Sequence, residues 1–259
     1  MMPDLSWRFV AVWRRNLAVY RKIWLLNFLP PLLEPLLFIV AFGYGLAGVA
    51  GRVTYAGAEI PYAAFIAPAL AAVAAMYNSF FETTYASFVR MVYQRTFQAL
   101  MATPLTLDEI VAGEIAWGAT RSAIAASLML VVLAPFGLIG WPGGLLLIPL
   151  AVLGGLAFGA IGLTFTGILP SIDAFNLPVF LFITPMFLFS GTFFPLENLP
   201  RWAAGVAWAL PLTHLVDLCR GAALGAFRPG HLLSILYLAA IAAIFFALAI
   251  RTMRRRLIP

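Results

Sequence analysis

The chain is predicted to be an all-α polytopic membrane protein of six transmembrane helices, and three observations predict it. Of its 259 residues 63% are hydrophobic and 10% charged, whereas a soluble domain carries roughly 25% charged residues. Its apolar runs repeatedly reach the ~20 residues a helix needs to cross a bilayer core. The period-2 alternation of an outer-membrane barrel is absent.

The net charge of +6 does not indicate nucleic acid. The basic residues cluster beside the apolar runs, where they meet anionic lipid headgroups and follow the positive-inside rule. Cys219 is the sole cysteine, which excludes an intrachain disulfide, and with His214 and His231 as the only histidines no metal-ligand motif can be built. The opening residues MMPDLSW lack the charged, apolar and small-residue sections of a signal peptide, so the N-terminus is expected to be retained.

Residues 1–22 are read as an interfacial helix. At ~100° per residue, Arg8, Arg14, Arg15, Arg21 and Lys22 fall within an arc of about 140°. Leu5, Phe9, Val12, Trp13, Leu17, Val19 and Tyr20 cover the other side. Such a helix lies in the headgroup plane; the alternative is a cytoplasmic extension of the first span. That span, Ile23 to Ala47, is interrupted by Pro30, Pro31 and Pro35 and carries Glu34. A carboxylate at membrane depth has to face protein or water, so Glu34 is expected to point inward.

After a short loop with Arg52 and Glu59, the second span is expected from Pro61 to Ser87, with Asn78 and Glu82 on one face. The stretch from Arg90 to Glu114 is a polar island. It runs helix-like to a break at Thr103-Pro104 and restarts at Thr106, with Asp108 and Glu109 placed as first-turn residues of a new helix. The third span, Ile110 to Pro135, carries Trp117 and Arg121, whose guanidinium either snorkels or meets Glu82 or Glu114. In the fourth, Pro142 to Leu169, Ala151, Gly155 and Gly159 recur every four residues and Gly162 follows. This face suits close helix packing or contact with a ligand.

The fifth span, Phe175 to Phe194, is rich in phenylalanine and split by Pro178 and Pro185. Residues 195–230 follow with Pro195, Pro200, Trp202, Pro211, His214, Asp217 and Arg220. The uninterrupted apolar piece there is too short to span, so two short re-entrant or interfacial helices hinged near Pro211 are expected. Asp217 and Arg220, one turn from His214, form either an ion pair closing the helix turn or a proton relay. The sixth span, His231 to Ile250, leads into a basic tail within residues 231–259.

Orientation follows from the basic residues. One side holds those of the first helix with Arg90, Arg95, Arg251, Arg254, Arg255 and Arg256, and the other holds Arg52, Arg201, Arg220 and Arg228. Both termini and the 90–114 island are therefore expected in the cytoplasm, and the re-entrant pair outside. The only lysine, Lys22, follows Val19-Tyr20-Arg21, so the chain has no phosphate-binding loop of its own. ATP energy would have to arrive through a partner gripping the island. A proton-coupled secondary transporter using Glu34 and Glu82 is the alternative.

Several stretches resemble the membrane subunits of type 2 ABC exporters. They are Phe81-Glu82-Thr83-Thr84-Tyr85, Arg90, Thr103-Pro104-Leu105, Glu109 to Glu114, and Ser190-Gly191-Thr192-Phe193-Phe194-Pro195 with Leu199-Pro200. Within that family the chain looks most like the NodJ branch, associated with lipo-oligosaccharide export. The resemblance implies a single transmembrane domain over 1–259 in the bacterial inner membrane. It implies a connecting helix at Leu5 to Tyr20 and, within the cytoplasmic segment 90–109, a coupling helix at Tyr93 to Met101. There Tyr93, Gln94, Arg95, Thr96, Phe97, Gln98, Leu100, Met101 and Pro104 would meet a cytoplasmic ATPase subunit. It also implies a homodimer, ATP and Mg bound by the partner ATPase, and no catalytic residue in this chain. Phe182, Phe187, Phe189 and Phe193 then either line the path of an amphipathic substrate or face lipid and neighbouring helices.

Overall fold

The computed structural model describes residues 5–38, 40–41 and 51–258. Among them are an N-terminal helix α1 (Phe9–Lys22), α2 (Trp24–Phe38), and a hairpin of β1 (Arg52–Tyr55) and β2 (Ala58–Pro61). There follow α3 (Tyr62–Tyr93), a short α4 (Thr96–Met101), α5 (Leu107–Phe136) and α6 (Gly143–Ile168). The chain closes with α7 (Asp173–Phe189), α8 (Arg201–Trp208), α9 (Pro211–Ala223) and α10 (His231–Leu257).

The predominantly helical architecture agrees with the expected class. Among the described residues four helices, α3, α5, α6 and α10, are long and apolar enough to cross a membrane, and α8 with α9, bent by 87°, would add a fifth if taken as one broken span. The six expected spans fall on α2, α3, α5, α6, α7 and α10, but α2 and α7 are shorter than that criterion. The end of the first expected span toward Ala47 and the side chain of Glu34 lie outside the described residues. In α7 the helix starts as a 3-10 turn and widens to a π turn at Val179–Ile183 immediately after Pro178. A proline there deprives the ladder of a donor.

The segment before α3, expected as a plain loop, is instead a hairpin in the register Arg52↔Pro61 to Tyr55↔Ala58. Ala56 and Gly57 both have positive φ, 54° and 83°, the backbone that a two-residue hairpin turn matched to strand twist requires. Helix α3 runs on to Tyr93, beyond the expected end at Ser87. Its last turns widen into π turns at Glu82–Ala86 and Val89–Tyr93. Hydroxyls compete for the helix carbonyls there: Thr83 donates to Ser79 O at 2.9 Å, Thr84 to Phe80 O at 2.6 Å and Ser87 to Glu82 O at 3.2 Å.

The apolar core has two parts. One joins α3, α5, α6 and α9 through Phe65, Met76, Phe80, Met129, Phe158 and Leu215, and the other gathers Val12, Phe88, Met91, Phe97, Ile110 and Met253 at the opposite end of the bundle. The small-residue face of α6 packs within the chain. A Cβ on Gly155 would lie 2.7 Å from Ala119 Cα, and one on Gly159 would lie 2.7 Å from Ser79 Oγ. Ser79 donates to Gly155 O at 2.6 Å, and Ser122 to Ala75 O at 2.6 Å. Gly155→Leu should therefore force α5 and α6 apart. The overpacking cost is about 1–3 kcal/mol or more, seen as a lower unfolding midpoint in detergent; an unchanged midpoint would argue against this packing.

Candidate functional site

At the end of the bundle where α3 finishes and α5 begins, charged side chains meet inside the protein. Glu114 is fully buried. It accepts from Asn16 Nδ2 at 2.9 Å, Ser87 Oγ at 2.6 Å, and Arg90 Nε and Nη2 at 3.1 and 2.6 Å. Arg90 reaches on to Glu82 Oε1 at 2.8 Å, where Trp117 Nε1 also donates at 3.0 Å. Arg121 Nε lies 3.6 Å from Glu82 Oε2, and its guanidinium is 4.9 Å from the centre of the Tyr20 ring. Three helices, α1, α3 and α5, are thus tied by one ionic knot, with every carboxylate oxygen met by a donor or a cation. A low-dielectric interior makes such a network stiff and costly to break.

Helix α1 is held to α5 by shape as well as by charge. A Cβ on Gly113 would stand 2.6 Å from Val12 Cβ and 2.8 Å from Phe9 O, so the backbones approach as only glycine allows. Trp13 Nε1 donates to Thr120 Oγ1 at 2.8 Å. Arg8, Arg14, Arg21 and Lys22 stay exposed as the basic arc predicts. Arg15 turns inward instead, donating to Asn16 Oδ1 at 2.9 Å and toward Thr96 Oγ1 at 3.4 Å. Burial lowers its guanidinium below the usual arginine value, against the pull of Glu114. Beside it a cavity of about 560 Å³ opens between α1 and α3, lined by Asn16, Tyr20, Tyr85 and Arg90 among others.

The helix expected over Tyr93 to Met101 is shorter. Tyr93 ends α3, Arg95 takes the left-handed conformation at φ 52°, and α4 begins at Thr96. Tyr93, Gln94, Arg95, Gln98 and Pro104 are exposed and Thr96, Leu100 and Met101 half-buried. Phe97 is completely buried in the second core cluster, so it anchors the short helix and cannot itself touch a partner. After the break, Thr106 caps α5 as its position predicts, in a reciprocal box with Glu109. Glu109 also accepts from Ser6 Oγ, and Arg8 donates to Pro104 O at 3.0 Å. Asp108 pairs with Arg254 of α10, and Arg256 donates to Thr166 O at 2.7 Å and to Leu169 O at the end of α6. The exposed rim of Tyr93, Arg95 and Gln98 therefore stands on a base fixed to five helices.

The opposite end holds the predicted hinge. Pro200 precedes α8 and Pro211 opens α9, while Pro195 leads into the short turn before them and Trp202 is 76% exposed. The expected Asp217–Arg220 ion pair does not form. Asp217 faces His231 of α10 at 3.2 Å. Arg220 is buried, donates to Phe65 O at 3.0 Å and Gly191 O at 2.9 Å, and lies 3.7 Å from the centre of the Phe65 ring. At a three-residue spacing the two side chains diverge because each meets a different neighbour of α9. His214 contacts Ser234 Oγ at 3.0 Å and Trp208 O at 2.9 Å.

Of the four phenylalanines, Phe182, Phe187 and Phe193 are half-buried against the first core cluster, with Phe187 and Phe193 ring centres 5.0 Å apart. Only Phe189 is largely exposed, and it shares the outer surface of α7 with Phe180 and Leu181. Asn78 bonds its own helix at Ala74 O, 3.0 Å away. Asn16, Ser87 and Glu114 were not anticipated as a group. Asn16 carried the only signal, since it sits one turn from Val12 on the apolar arc of α1, where a lone amide needs a buried partner.

Residues 8–224 match the ABC-2 type transporter family. Nodulation protein J of Sinorhizobium fredii is 36% identical over 258 residues, covering 100% of this chain and 97% of that protein. Nodulation protein J of Rhizobium leguminosarum bv. trifolii is 41% identical over 224 residues, 86% of this chain and 84% of that protein. The inner membrane transport permease YadH of Escherichia coli K12 is 25% identical over 232 residues, 86% of each chain. With its apolar helices, the chain is a multi-pass membrane transport permease, and it belongs to the ABC-2 type transporter family as a type 2 ABC permease of the NodJ branch.

Proposed function

We propose that this permease works as a homodimer with two separate cytoplasmic ATPase subunits, which bind ATP and Mg, in the bacterial inner membrane. It moves an amphipathic substrate (a lipo-oligosaccharide, glycolipid, polysaccharide or hydrophobic drug) out of the cytoplasm or inner leaflet. Both termini are cytoplasmic on this reading. The contact of α1 with the start of α5, and of Arg254 with Asp108 at the same place, supports putting the two ends of the chain on one side.

The observation that carries the reading is the exposed rim on a rigid base. Closure of the ATPases on ATP would press on Tyr93, Arg95 and Gln98, and the Glu114–Arg90–Glu82 knot would pass that push to α1, α3 and α5 together. A bistable element is then needed, and the packing between two copies of the chain supplies it. The proton-coupled alternative is not supported at Glu82, whose carboxylate is already met by Arg90, Trp117 and Arg121.

The permease co-expressed with a candidate ABC ATPase subunit should retain that subunit on purification. Tyrosine and arginine dominate interface energetics, so Tyr93→Ala with Arg95→Ala should reduce recovery by at least about tenfold. Both side chains are exposed, so the permease itself should stay monodisperse. Undiminished recovery from the double variant, or after deletion of residues 93–101, would remove the contact from consideration.

A further inference from the structure

The cavity of about 560 Å³ between α1 and α3 falls in the ~300–1,000 Å³ range of ligand sites. Arg15, Val19 and Ile23 line it from α1 at four-residue spacing, hence on one stripe of that helix. Tyr85 and Val89 face them from α3, with Gln94 just past its end. The wall is graded from polar to apolar. Its polar end lies beside α4, since Arg15 Nη2 reaches toward Thr96 Oγ1 at 3.4 Å and Gln94 stands two positions before that helix. Val19, Ile23 and Val89 continue it as an apolar track, and Ile23 leads into Trp24 and Leu25, both exposed at the start of α2. A basic helix with exposed tryptophans, here Trp7 and Trp24, at its two ends belongs at headgroup level.

Arg15 is the charge that the ionic knot leaves over. Glu82 lines the cavity and Glu114 lies behind Asn16, and Arg90 and Arg121 already answer these carboxylates. Among the described residues Arg15 has no carboxylate partner. It donates only to Asn16 Oδ1 and toward Thr96, and it feels Glu114 and Arg90 with opposite signs. The exposed Asp173 acts on Tyr85 but not on Arg15. Arg14, Arg21 and Lys22 on α1, and Arg95 next to Gln94, are exposed as well. The balance is therefore positive. A guanidinium has enough N–H groups to serve both neighbours and still present a fork to a phosphate. The Gln94 amide, without a hydrogen bond among the described residues, adds a neutral donor at the same end.

We propose that this cavity holds an anionic phospholipid of the leaflet in which α1 lies, with its phosphate on Arg15 and Gln94 and an acyl chain along Val19, Ile23 and Val89. The lipid closes α1 onto α3 beside the knot, whichever molecule is exported. The test titrates delipidated full-length permease in detergent with phosphatidylglycerol or phosphatidylcholine, read by native mass spectrometry. Phosphatidylglycerol should bind at least about tenfold more tightly, because choline would bring a cation among arginines. Arg15→Gln should weaken phosphatidylglycerol binding about tenfold, and Arg14→Gln, which removes the same charge from the exposed face, by less than about threefold. Val19→Glu sets a carboxylate one turn from Arg15, in the phosphate's place, and should also cost about tenfold. Val19 is exposed, so this variant carries the test should Arg15→Gln fail to fold. Equal affinity for the two lipids, equal losses in Arg14→Gln and Arg15→Gln, or unchanged binding by Val19→Glu would overturn the lipid site. Displacement of the lipid by excess inorganic phosphate would overturn it as well, leaving a site for the free anion.

Discussion

Arg90→Met should destabilise the permease by about 3–5 kcal/mol. Glu114 is fully buried and would lose two hydrogen bonds from the guanidinium, while Glu82 would lose its 2.8 Å partner. Asn16 and Ser87 would remain on Glu114, yet neither carries charge. The cost is that of leaving a carboxylate uncompensated in a low-dielectric interior, rather than the loss of an attraction. In detergent the unfolding midpoint should drop by roughly 10 °C. Adding Glu114→Gln should restore most of it, because a neutral amide still accepts from Asn16 and leaves no buried charge. A double variant no more stable than Arg90→Met would show that something other than the Glu114 charge sets the cost.

Phe97→Ala comes second. The side chain is completely buried, and its truncation carries a cost of about 3–5 kcal/mol in a packed core. Helix α4 has six residues, too few to persist without that anchor. The loss should therefore be felt first as release of α4 from its base, with the outer helices still packed. In proteoliposomes of the proposed permease–ATPase assembly, ATP hydrolysis should continue while substrate moved per ATP falls by at least about tenfold. Phe97→Leu, which refills most of the volume, should recover much of the coupling. Hydrolysis and transport falling in proportion would point to lost assembly rather than lost coupling.

Much of the helical layout is legible in the sequence, for particular reasons. Thr106 with Glu109 is a reciprocal capping pair readable from spacing alone, and α5 begins there. Gly155 and Gly159 mark a close helix contact, and they make one, inside the chain. The bend before Pro211 follows from a proline that suits the first turn of a helix and cannot continue the one before it. What stayed hidden depends on partners distant in sequence. The pairing of Asp217 with His231 rather than Arg220 is set by where α10 packs on α9. Arg90 looked like the start of an exposed island because hydropathy falls there. Two π turns instead carry α3 past it and direct the guanidinium to Glu114, 24 positions on. The hairpin escaped because Ala56-Gly57 is a weaker turn signal than Asn-Gly, although Val53, Tyr55 and Ile60 alternate as a strand pair should.

The length of α3 has a mechanical consequence. Its 32 residues, at 1.5 Å each where α-helical and less in the two π segments, make a rod of roughly 45 Å, about the ~40–45 Å of a whole bilayer with its headgroups. At one tip Tyr62 donates to Phe193 O at 2.9 Å, beside the segment that holds Arg220, and at the other stands the exposed Tyr93. One unbroken arm therefore touches both faces of the molecule. A tilt of only about 5° about either tip sweeps the other through about 4 Å, comparable to a side-chain contact distance. An angular adjustment too small to disturb any single packed turn is geared up, across the thickness of the membrane, into a step large enough to make or break a seal.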